Sequence, residues 1–439
     1  MQAYVFVINK DGQPLMPTQR YGKIRRLLRD GQAKVVKRCP FTIQLLYETT
    51  DVVQPVDLGI DTGYKHIGVS ACTEKKELYA ADMQVRTDIS KNLEQRRVLR
   101  RARRNRKTRY RKPRFNNRVR SKHKGWLAPS VEATIGLHIR VIHDVCKILP
   151  ITSITLETAA FDTQKMQNAE ISGVEYQQGT LMGYTIRGYL AEKFNHCCAY
   201  CGKTENSETK FEVEHVVPKA RGGSSRISNL VWACHGCNED KGTRTAAEYG
   251  HPEVQALAAK GGSMRSAAAM SVMKWYLYNR VKTEYDDAVR MTYGADTATK
   301  RYKFNLQKDH HIDARCISGH PNAIPSQEVY YMRKIRCHNR QLHRLKINKG
   351  GTRRNNQVPY EVWGIRLFDK VIYQNRECFV FGRRNSGSMD IRLLNGAKVN
   401  AGVSYKKLSV ICKAGNIILE RKVITDIPCL WMSQMVSCR

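Results

Sequence analysis

The segment Phe211–Gly242, FEVEHVVPKARGGSSRISNLVWACHGCNEDKG, places a histidine between two cysteine pairs. His215 follows an acid and precedes a short apolar run that stops at Pro218. The cysteines form two Cys-x-x-Cys pairs, Cys198 with Cys201 and Cys234 with Cys237. Two thiolate pairs of this kind predict a tetrahedral zinc site. Because four thiolates leave no open coordination position, we expect this zinc to stabilise the fold and to take no part in catalysis.

The residues between the cysteine pairs suit metal-dependent hydrolysis. His215 ends a strand-like run and can accept a proton from water near pH 7. Glu214 can bind a hard divalent cation, and Asn238 opens a predicted helix. In a regular strand Glu214 and His215 point to opposite faces, so a bend before Pro218 must bring both to one metal. Otherwise Glu212 or a water molecule takes the place of Glu214.

The order Glu-His, Ser-Asn-Leu and Cys-x-x-Cys-Asn-x-x-Lys-Gly resembles the HNH nuclease module, in which a strand, a loop and a helix surround one metal. The resemblance implies that His215 is the general base and that Asn229 orients it. It also implies that Glu214 and Asn238 bind one magnesium ion. The alternative is a zinc-knuckle binding module in which His215 has no catalytic role.

Three acids that are distant in sequence fit a second site. Asp61 follows an apolar run, Glu157 ends the run Ile-Thr-Leu, and Asp313 lies in a predicted helix. Two acids on neighbouring strands and one on a later helix can converge, and converging carboxylates hold two magnesium ions in phosphodiester hydrolysis. His310 and Asp313 stand at i and i+3 and so share a helix face, which places an imidazole where it can activate water.

Charge points to the partner class. Lys plus Arg number 75 and Asp plus Glu 39, so the formal net charge is +36. A surplus this large predicts a polyanionic partner, and nucleic acid is the first choice. No apolar run approaches the ~20 residues that span a bilayer, and the N-terminus has no secretory signal pattern. We therefore expect a cytoplasmic protein with reduced cysteines and no membrane partner.

The positive charge is concentrated in residues 96–120, RRVLRRARRNRKTRYRKPRFNNRVR. The first part of this run favours a helix, which Pro113 ends. We expect its arginines to neutralise phosphates and its aromatic residues to stack on bases. The predicted nucleic-acid contacts are Arg100, Arg101, Arg103, Arg104, Arg106, Arg109, Tyr110, Arg111, Arg114, Phe115 and Arg118. The alternative is a disordered basic tail of the ribosomal-protein kind.

Hydrophobic periodicity predicts a mixed α/β multidomain chain. Strands are expected at 4–8, 33–36, 41–47 and 151–157, and on both sides of a turn after Asp61. Helices are expected at 24–28, 131–149, 264–290 and from 309 onward. The C-terminal block reads as a small β-barrel.

Along the sequence, an arginine helix lies between Asp61 and Glu157, and an HNH module lies between Glu157 and Asp313. This order resembles the IscB family, the transposon-encoded OMEGA relatives of single-protein type II CRISPR effectors. Pro14-Leu-Met-Pro17 resembles the motif of that family's N-terminal domain. The resemblance implies a RuvC core of RNase H-like fold that is split into three parts. The implied domains are a PLMP-type domain (1–54), RuvC parts (55–93, 121–188 and 251–325), a bridge helix (94–120), the HNH nuclease (189–250) and a region that contacts the guide and reads the target-adjacent motif (326–439).

The same resemblance implies an RNA-guided DNA endonuclease that acts as a monomeric ribonucleoprotein. Its partners would be a structured guide RNA, the omega RNA, and double-stranded target DNA. The HNH module would cut the guide-paired strand with one magnesium ion, and RuvC the displaced strand with two. Two alternatives stay open. A protein-only HNH homing endonuclease would not need the split acidic core. A catalytically idle RNA-guided binding protein should lack at least one of Asp61, Glu157, His215 and Asp313, and all four are present.

Overall fold

The structure is a computed structural model that describes residues 3–50, 52–105, 126–158, 186–206, 209–259, 265–336 and 359–423. It forms two compact units. One comprises Met1–Val56, Lys65–Pro150 and Ala323–Arg439, and the other Asp57–Tyr64 and Ile151–Asn322. Seven of the predicted nucleic-acid contacts lie outside the described residues: Arg106, Arg109, Tyr110, Arg111, Arg114, Phe115 and Arg118.

The strands of the described residues are β1 (Val5–Ile8), β2 (Pro14–Thr18), β3 (Ala33–Arg38), β4 (Phe41–Leu45), β5 (Asp57–Thr62), β6 (His66–Cys72), β7 (Glu77–Gln84), β8 (Ser153–Glu157), β9 (Phe211–His215), β10 (Leu230–Cys234), β11 (Val289–Thr292), β12 (Glu328–Lys334), β13 (Glu361–Val362), β14 (Ile365–Arg366), β15 (Lys370–Tyr373), β16 (Arg376–Arg383), β17 (Ser388–Arg392), β18 (Lys398–Ser404), β19 (Ser409–Cys412) and β20 (Ile417–Val423). The helices are α1 (Tyr21–Arg29), α2 (Ile89–Asn105), α3 (Pro129–Cys146), α4 (Ile186–Lys193), α5 (His235–Lys241), α6 (Pro252–Ala259), α7 (Arg265–Tyr285), α8 (Gly294–Lys303) and α9 (His310–Ile317).

The smaller unit is built on three parallel strands, with β8 between β5 and β11. Leu58 and Ile60 of β5 and Leu156 of β8 are fully buried. Apolar burial of this kind is the main favourable term in folding. Parallel strands end at the same edge of a sheet, so the carboxyl ends of β5 and β8 bring Asp61 and Glu157 to one edge.

Helix α9 approaches β5 closely because residue 59 has no side chain. A Cβ atom added to Gly59 would lie 2.0 Å from the carbonyl oxygen of Ala314. Real atoms do not approach to that distance, so glycine is required for this contact between strand and helix backbones. The close approach sets the N-terminal turn of α9, which carries His310 and Asp313, relative to the strand that carries Asp61.

A ββα element lies in the same unit. Strands β9 and β10 are antiparallel, and His215 is opposite Leu230 in the register. Helix α5 follows β10 directly. The core of this element includes Trp232, which is buried and stacks on Phe211 with ring centroids 5.8 Å apart.

Among its described residues, the larger unit contains three groups of four or five paired strands and the short β13–β14 hairpin. In the N-terminal sheet, of strand order β2-β1-β4-β3, α1 buries Ile24 and Leu27 in the same core as Val5 and Val7. In a second sheet β7 lies between antiparallel β6 and parallel β12, and β20 is antiparallel to β12. The third sheet is antiparallel and has the order β18-β17-β16-β15-β19, with Val371, Val380 and Ile391 in its core.

Several sequence-based elements are confirmed. The predicted helices at 131–149 and 264–290 are α3 and α7, and the helix from 309 is α9. The basic helix α1 and the strands on both sides of the turn after Asp61 are also present. Helix α2 reaches Asn105 and exposes Arg100 and Arg101. Helices α4, α6 and α8 were not predicted. Within the described residues, no helix combines the length and apolar character that a membrane crossing requires.

Candidate active sites

Three carboxylates, Asp61, Glu157 and Asp313, form what we call the carboxylate cluster. They come from the end of β5, the end of β8 and the first turn of α9. Burial, followed by the negative charges of Asp61 and Asp313, raises the pKa of Glu157 to about 8. Burial also raises the pKa of Asp313; the charge of Arg301 opposes the shift and that of Asp61 adds to it. The three acids therefore interact electrostatically, as converging carboxylates must.

Each carboxylate of the cluster has a polar partner. Nδ1 of His310 lies 2.6 Å from Oδ2 of Asp61. Thr297 Oγ1 donates to Oε2 of Glu157 at 2.6 Å. Arg301 Nη1 donates to Oδ1 of Asp313 at 2.6 Å. Carboxylate oxygens are the ligands that magnesium prefers, and a divalent cation would relieve the repulsion that raises these pKa values. The chemistry of the donors therefore suits a hard cation, while their oxygens do not all lie within 4.8 Å of one another in this structure.

The four cysteines meet at one point. Among the described residues, Cys198, Cys201, Cys234 and Cys237 are the one group of His, Cys, Asp or Glu whose ligand atoms all lie within 4.8 Å of one another. The sulfurs of Cys201 and Cys234 are 3.7 Å apart. A tetrahedral zinc with bonds of about 2.3 Å separates its sulfurs by about 3.8 Å. The geometry therefore fits a closed structural zinc site.

The backbone around the cysteines favours thiolate at one position. Burial opposes ionisation of Cys198, but the backbone N–H groups of Cys201, Cys234 and Tyr200 lower its pKa to about 7. Burial and the neighbouring sulfurs raise the pKa of Cys237. Crowded sulfurs cannot all ionise without a counter-charge, and bound zinc supplies one.

Two side chains of helix α5 each form a hydrogen bond with one acid of β9. Asn238 Nδ2 donates to Oε2 of Glu212 at 2.8 Å. Lys241, whose side chain is fully buried, donates from Nζ to Oε1 of Glu214 at 2.6 Å and to the carbonyl of His215 at 2.9 Å. Glu212 and Glu214 are two residues apart and so point to the same side of the strand. In this structure, Glu212 is the acid in contact with Asn238, while Glu214 is neutralised by Lys241.

Asn229 fixes the loop that follows His215. Its Oδ1 accepts from the N–H of Val217, and its Nδ2 donates to the carbonyls of Val217 and Ser224. The loop closes tightly, because a Cβ on Gly223 would lie 1.7 Å from the carbonyl oxygen of Val217. Three hydrogen bonds to one buried amide restrain this loop, so Asn229 positions the chain around His215 through the backbone.

The structure thus places the predicted residues in two groups. Within the regular strand β9, His215 alternates with Glu212 and Glu214, so its side chain faces the opposite side of the strand from both acids. The predicted carboxylates and His310 meet at one edge, and His215, Asn229 and Asn238 lie in the ββα element with the four cysteines. Sequence reasoning missed Thr297, Arg301 and the pairing of Lys241. Thr297 and Arg301 carry no motif, and their helix α8 was not predicted. Lys241 was recognised only as part of the Lys-Gly end of the motif.

Comparison with protein families identifies the ββα element. Residues 198–252 match the model of a family described as HNH endonuclease, and this segment is therefore an HNH endonuclease domain. Residues 5–179 match a family described as RRXRR protein. The chain carries Arg100-Arg101-Ala102-Arg103-Arg104 within that range. No curated protein matches the chain.

Solved structures of Cas9 align with parts of the chain. Streptococcus thermophilus Cas9 in complex with the GGAA PAM is 15% identical with a TM-score of 0.24, and the match covers 50% of this chain and 30% of that one. The Type II-C Cas9 enzyme from Actinomyces naeslundii is 20% identical with a TM-score of 0.17, covering 43% and 27%. The chain therefore spans less than a third of the length of either Cas9 chain.

We expect the cysteine site to hold one zinc ion per chain. Cys201→Ser should lose most of the zinc and lower the thermal midpoint of the HNH domain, because zinc binding is coupled to folding. Mass spectrometry of metal content and a thermal melt measure both effects. Cys412→Ser, which changes an exposed cysteine of β19, is the control and should keep its zinc. A wild-type protein purified without zinc would contradict the assignment.

Glu157 should make the stability of the magnesium-free protein depend on pH. Its folded-state pKa of about 8 lies above the ordinary 4.5, so the folded protein holds the proton more tightly than the unfolded chain. The resulting stabilisation is complete below pH 4.5 and is lost as the pH rises through about 8. Urea midpoints across this range should vary less in Glu157→Gln than in wild type.

The matched control for this experiment is Glu74→Gln, at an exposed position, which should keep the wild-type pH profile. If Glu157→Gln gives a profile as steep as wild type, Glu157 is not the buried proton-binding group.

Proposed function

We propose that this chain is an RNA-guided DNA endonuclease with two separate cleavage centres, one in the HNH domain and one at the carboxylate cluster. The observation that carries the proposal is positional. The HNH domain, residues 198–252, is inserted between Glu157 and Asp313, yet Asp313 remains close enough to Glu157 for its charge to raise the pKa of Glu157. Acids that precede and follow the HNH domain in the sequence therefore still form one site. A site kept in spite of the insertion is the reason to propose a second cleavage centre.

The carboxylate cluster would act as a RuvC-type site. Asp61, Glu157 and Asp313 would hold two magnesium ions, which when bound neutralise the acids and stabilise charge on the phosphate. His310 would accept the proton of the attacking water molecule. If its Nδ1–H donates to Asp61, the neutral ring carries its lone pair on Nε2, the form that accepts a proton from water. The ring is 44% exposed, which suits exchange with an attacking water molecule.

Arg301 would hold Asp313 in place in this centre. Its guanidinium is largely buried beside a carboxylate of similar burial, at 2.6 Å. A charged hydrogen bond of this kind fixes the carboxylate orientation and favours its ionised form. Thr297 would do the same for Glu157 with a neutral donor. Both are positioning residues, because they act through the acids.

In the HNH centre, His215 would be the general base. Asn238 and an acid of β9 would hold one magnesium ion. Glu212 also pairs with Lys210 and His235, but both of these partners are accessible to solvent. By contrast, Lys241, the partner of Glu214, is fully buried. The geometry therefore favours Glu212, which contacts Asn238. Glu214, the acid that the resemblance implies, remains available only if Lys241 releases it. Asn229 would keep His215 in register through the ordered loop.

Guide RNA is the part of the proposal that the charge supports. A net charge of +36 exceeds what solubility requires, and α2 presents Arg96, Arg97, Arg100 and Arg101 at its surface. A protein that holds a guide–target heteroduplex contacts its backbone and needs many cations. The partners would be a structured guide RNA and duplex DNA beside a short adjacent motif, bound by a monomeric ribonucleoprotein.

Two substitutions should separate the strand cuts. With a guide RNA and a duplex labelled on each strand in turn, His215→Ala should lose cleavage of the guide-paired strand only. Asp61→Asn should lose cleavage of the displaced strand only, because each centre has its own carboxylates and its own base. Loss of general-base catalysis alone costs about 10²–10⁴-fold in rate. Gel analysis of both labels measures this directly.

The guide itself is tested by sequencing the RNA that co-purifies with the protein. A defined structured RNA that programs cleavage at a matching site is the expected result. If a single substitution abolishes both cuts while DNA binding is unchanged, the two-centre assignment is wrong. Site-specific cleavage by RNA-free protein would indicate a homing endonuclease instead.

A further inference from the structure

The hairpin formed by β13 and β14 has an unusual residue at its turn. Glu361 pairs with Arg366 and Val362 with Ile365, which leaves Trp363 and Gly364 as a two-residue turn. Their φ values are +50° and +72°. A turn with both central residues in the left-handed region favours Asn-Gly, because a bulky side chain there is strained. The Trp363 side chain is 61% exposed, so burial does not offset that strain.

The tryptophan ring is held in one orientation by a second turn. It stacks on Tyr405 with ring centroids 4.7 Å apart and an interplanar angle of 7°. Both rings pack against Gly387, where a Cβ would lie 2.7 Å from Tyr405 Cδ1 and 3.2 Å from Trp363 Cδ1. The N–H of Tyr405 donates to the carbonyl of Gly387 at 2.9 Å. We call Trp363 and Tyr405 the aromatic platform.

Cations lie beside the aromatic platform, and the Lys413 ammonium donates to the carbonyl of Gly364, the residue that follows Trp363. Lys406 and Lys407 follow Tyr405 and are exposed, and Arg384 is exposed in the turn that ends at Gly387. The one acid of the hairpin, Glu361, is paired with Arg366 at 2.7 Å. A flat, pre-oriented aromatic surface with a rim of cations complements a nucleic-acid strand, since bases stack on aromatic rings and phosphates attract cations.

We propose that the aromatic platform binds single-stranded RNA by stacking an unpaired base on Trp363. The choice of RNA rests on the proposed function: a structured guide exposes bases in loops and ends, whereas the bases of a target duplex are already stacked on one another. Strain stored at a ligand-contacting residue is a recognised feature of binding sites. Trp363 occupies the turn position that favours asparagine, and the strained backbone there exposes its ring to solvent.

The test uses Trp363→Asn in the full chain, freed of RNA, with a short structureless RNA as probe. Asparagine suits the left-handed turn, so the variant should melt at the same temperature as wild type or higher. Its affinity for the RNA should fall about 5- to 150-fold, the range for loss of one stacked base. The salt dependence of binding should not change, because no phosphate contact is removed.

Two controls bracket this result. Trp363→Phe keeps an aromatic face and should retain most of the affinity. Trp275→Ala removes another exposed tryptophan, on α7, and should bind RNA like wild type. Equal RNA affinity of Trp363→Asn and wild type would overturn the proposal. A loss confined to single-stranded DNA of the same sequence would overturn the assignment to RNA.

Guided cleavage by wild-type protein is measured separately. Weaker RNA binding by Trp363→Asn supports the aromatic platform even if wild type makes no guided cut, which would count against the proposed function alone. If wild type cuts under RNA guidance and Trp363→Asn binds RNA as tightly as wild type, the proposed function is supported and the RNA-binding role of the aromatic platform is overturned.

Discussion

The repulsion among the carboxylates of Asp61, Glu157 and Asp313, which are buried or half-buried, is the constraint on which the organisation of the smaller unit depends. Burial and like charge together raise the pKa of Glu157 to about 8. Each acid forms a hydrogen bond with a different kind of group: Asp61 with an imidazole, Glu157 with a hydroxyl and Asp313 with a guanidinium. Parallel strands and the contact between Gly59 and α9 hold the acids together against this repulsion. This repulsion lowers the free energy of unfolding, and bound cations would offset it by neutralising the carboxylates.

The HNH domain handles buried charge in another way. Its four cysteines form a closed set of sulfur ligands, which suits a metal that stabilises the domain. Lys241 and Glu214 form a buried ion pair, and removing one member of such a pair typically costs about 3–5 kcal/mol. Glu212 and Asn238 remain together at a more exposed position. The two acids of β9 therefore lie in different environments within one small element.

How much of this could be predicted from the sequence depends on the range of each interaction. Cysteine spacing predicts the zinc ligands, because a Cys-x-x-Cys pair is a local pattern. Asp61 and Glu157 follow from strand ends, and Asp313 from its helical spacing to His310. Thr297 and Arg301 could not be predicted, because their contacts cross from α8 to β8 and α9. Trp363 was missed because Trp-Gly is not a recognised turn signal, so only the backbone reveals the strain.

The central claim is that one compact unit holds two separate divalent-metal centres, and manganese located by anomalous diffraction tests it most directly. Crystals of the full chain soaked in manganese should show ions bound by Asp61, Glu157 and Asp313. A further ion should lie beside Asn238 and an acid of β9, and zinc should lie among the cysteines. Manganese absent from the carboxylates, with the contacts of Asp61 to His310 and of Asp313 to Arg301 unchanged, would contradict the account.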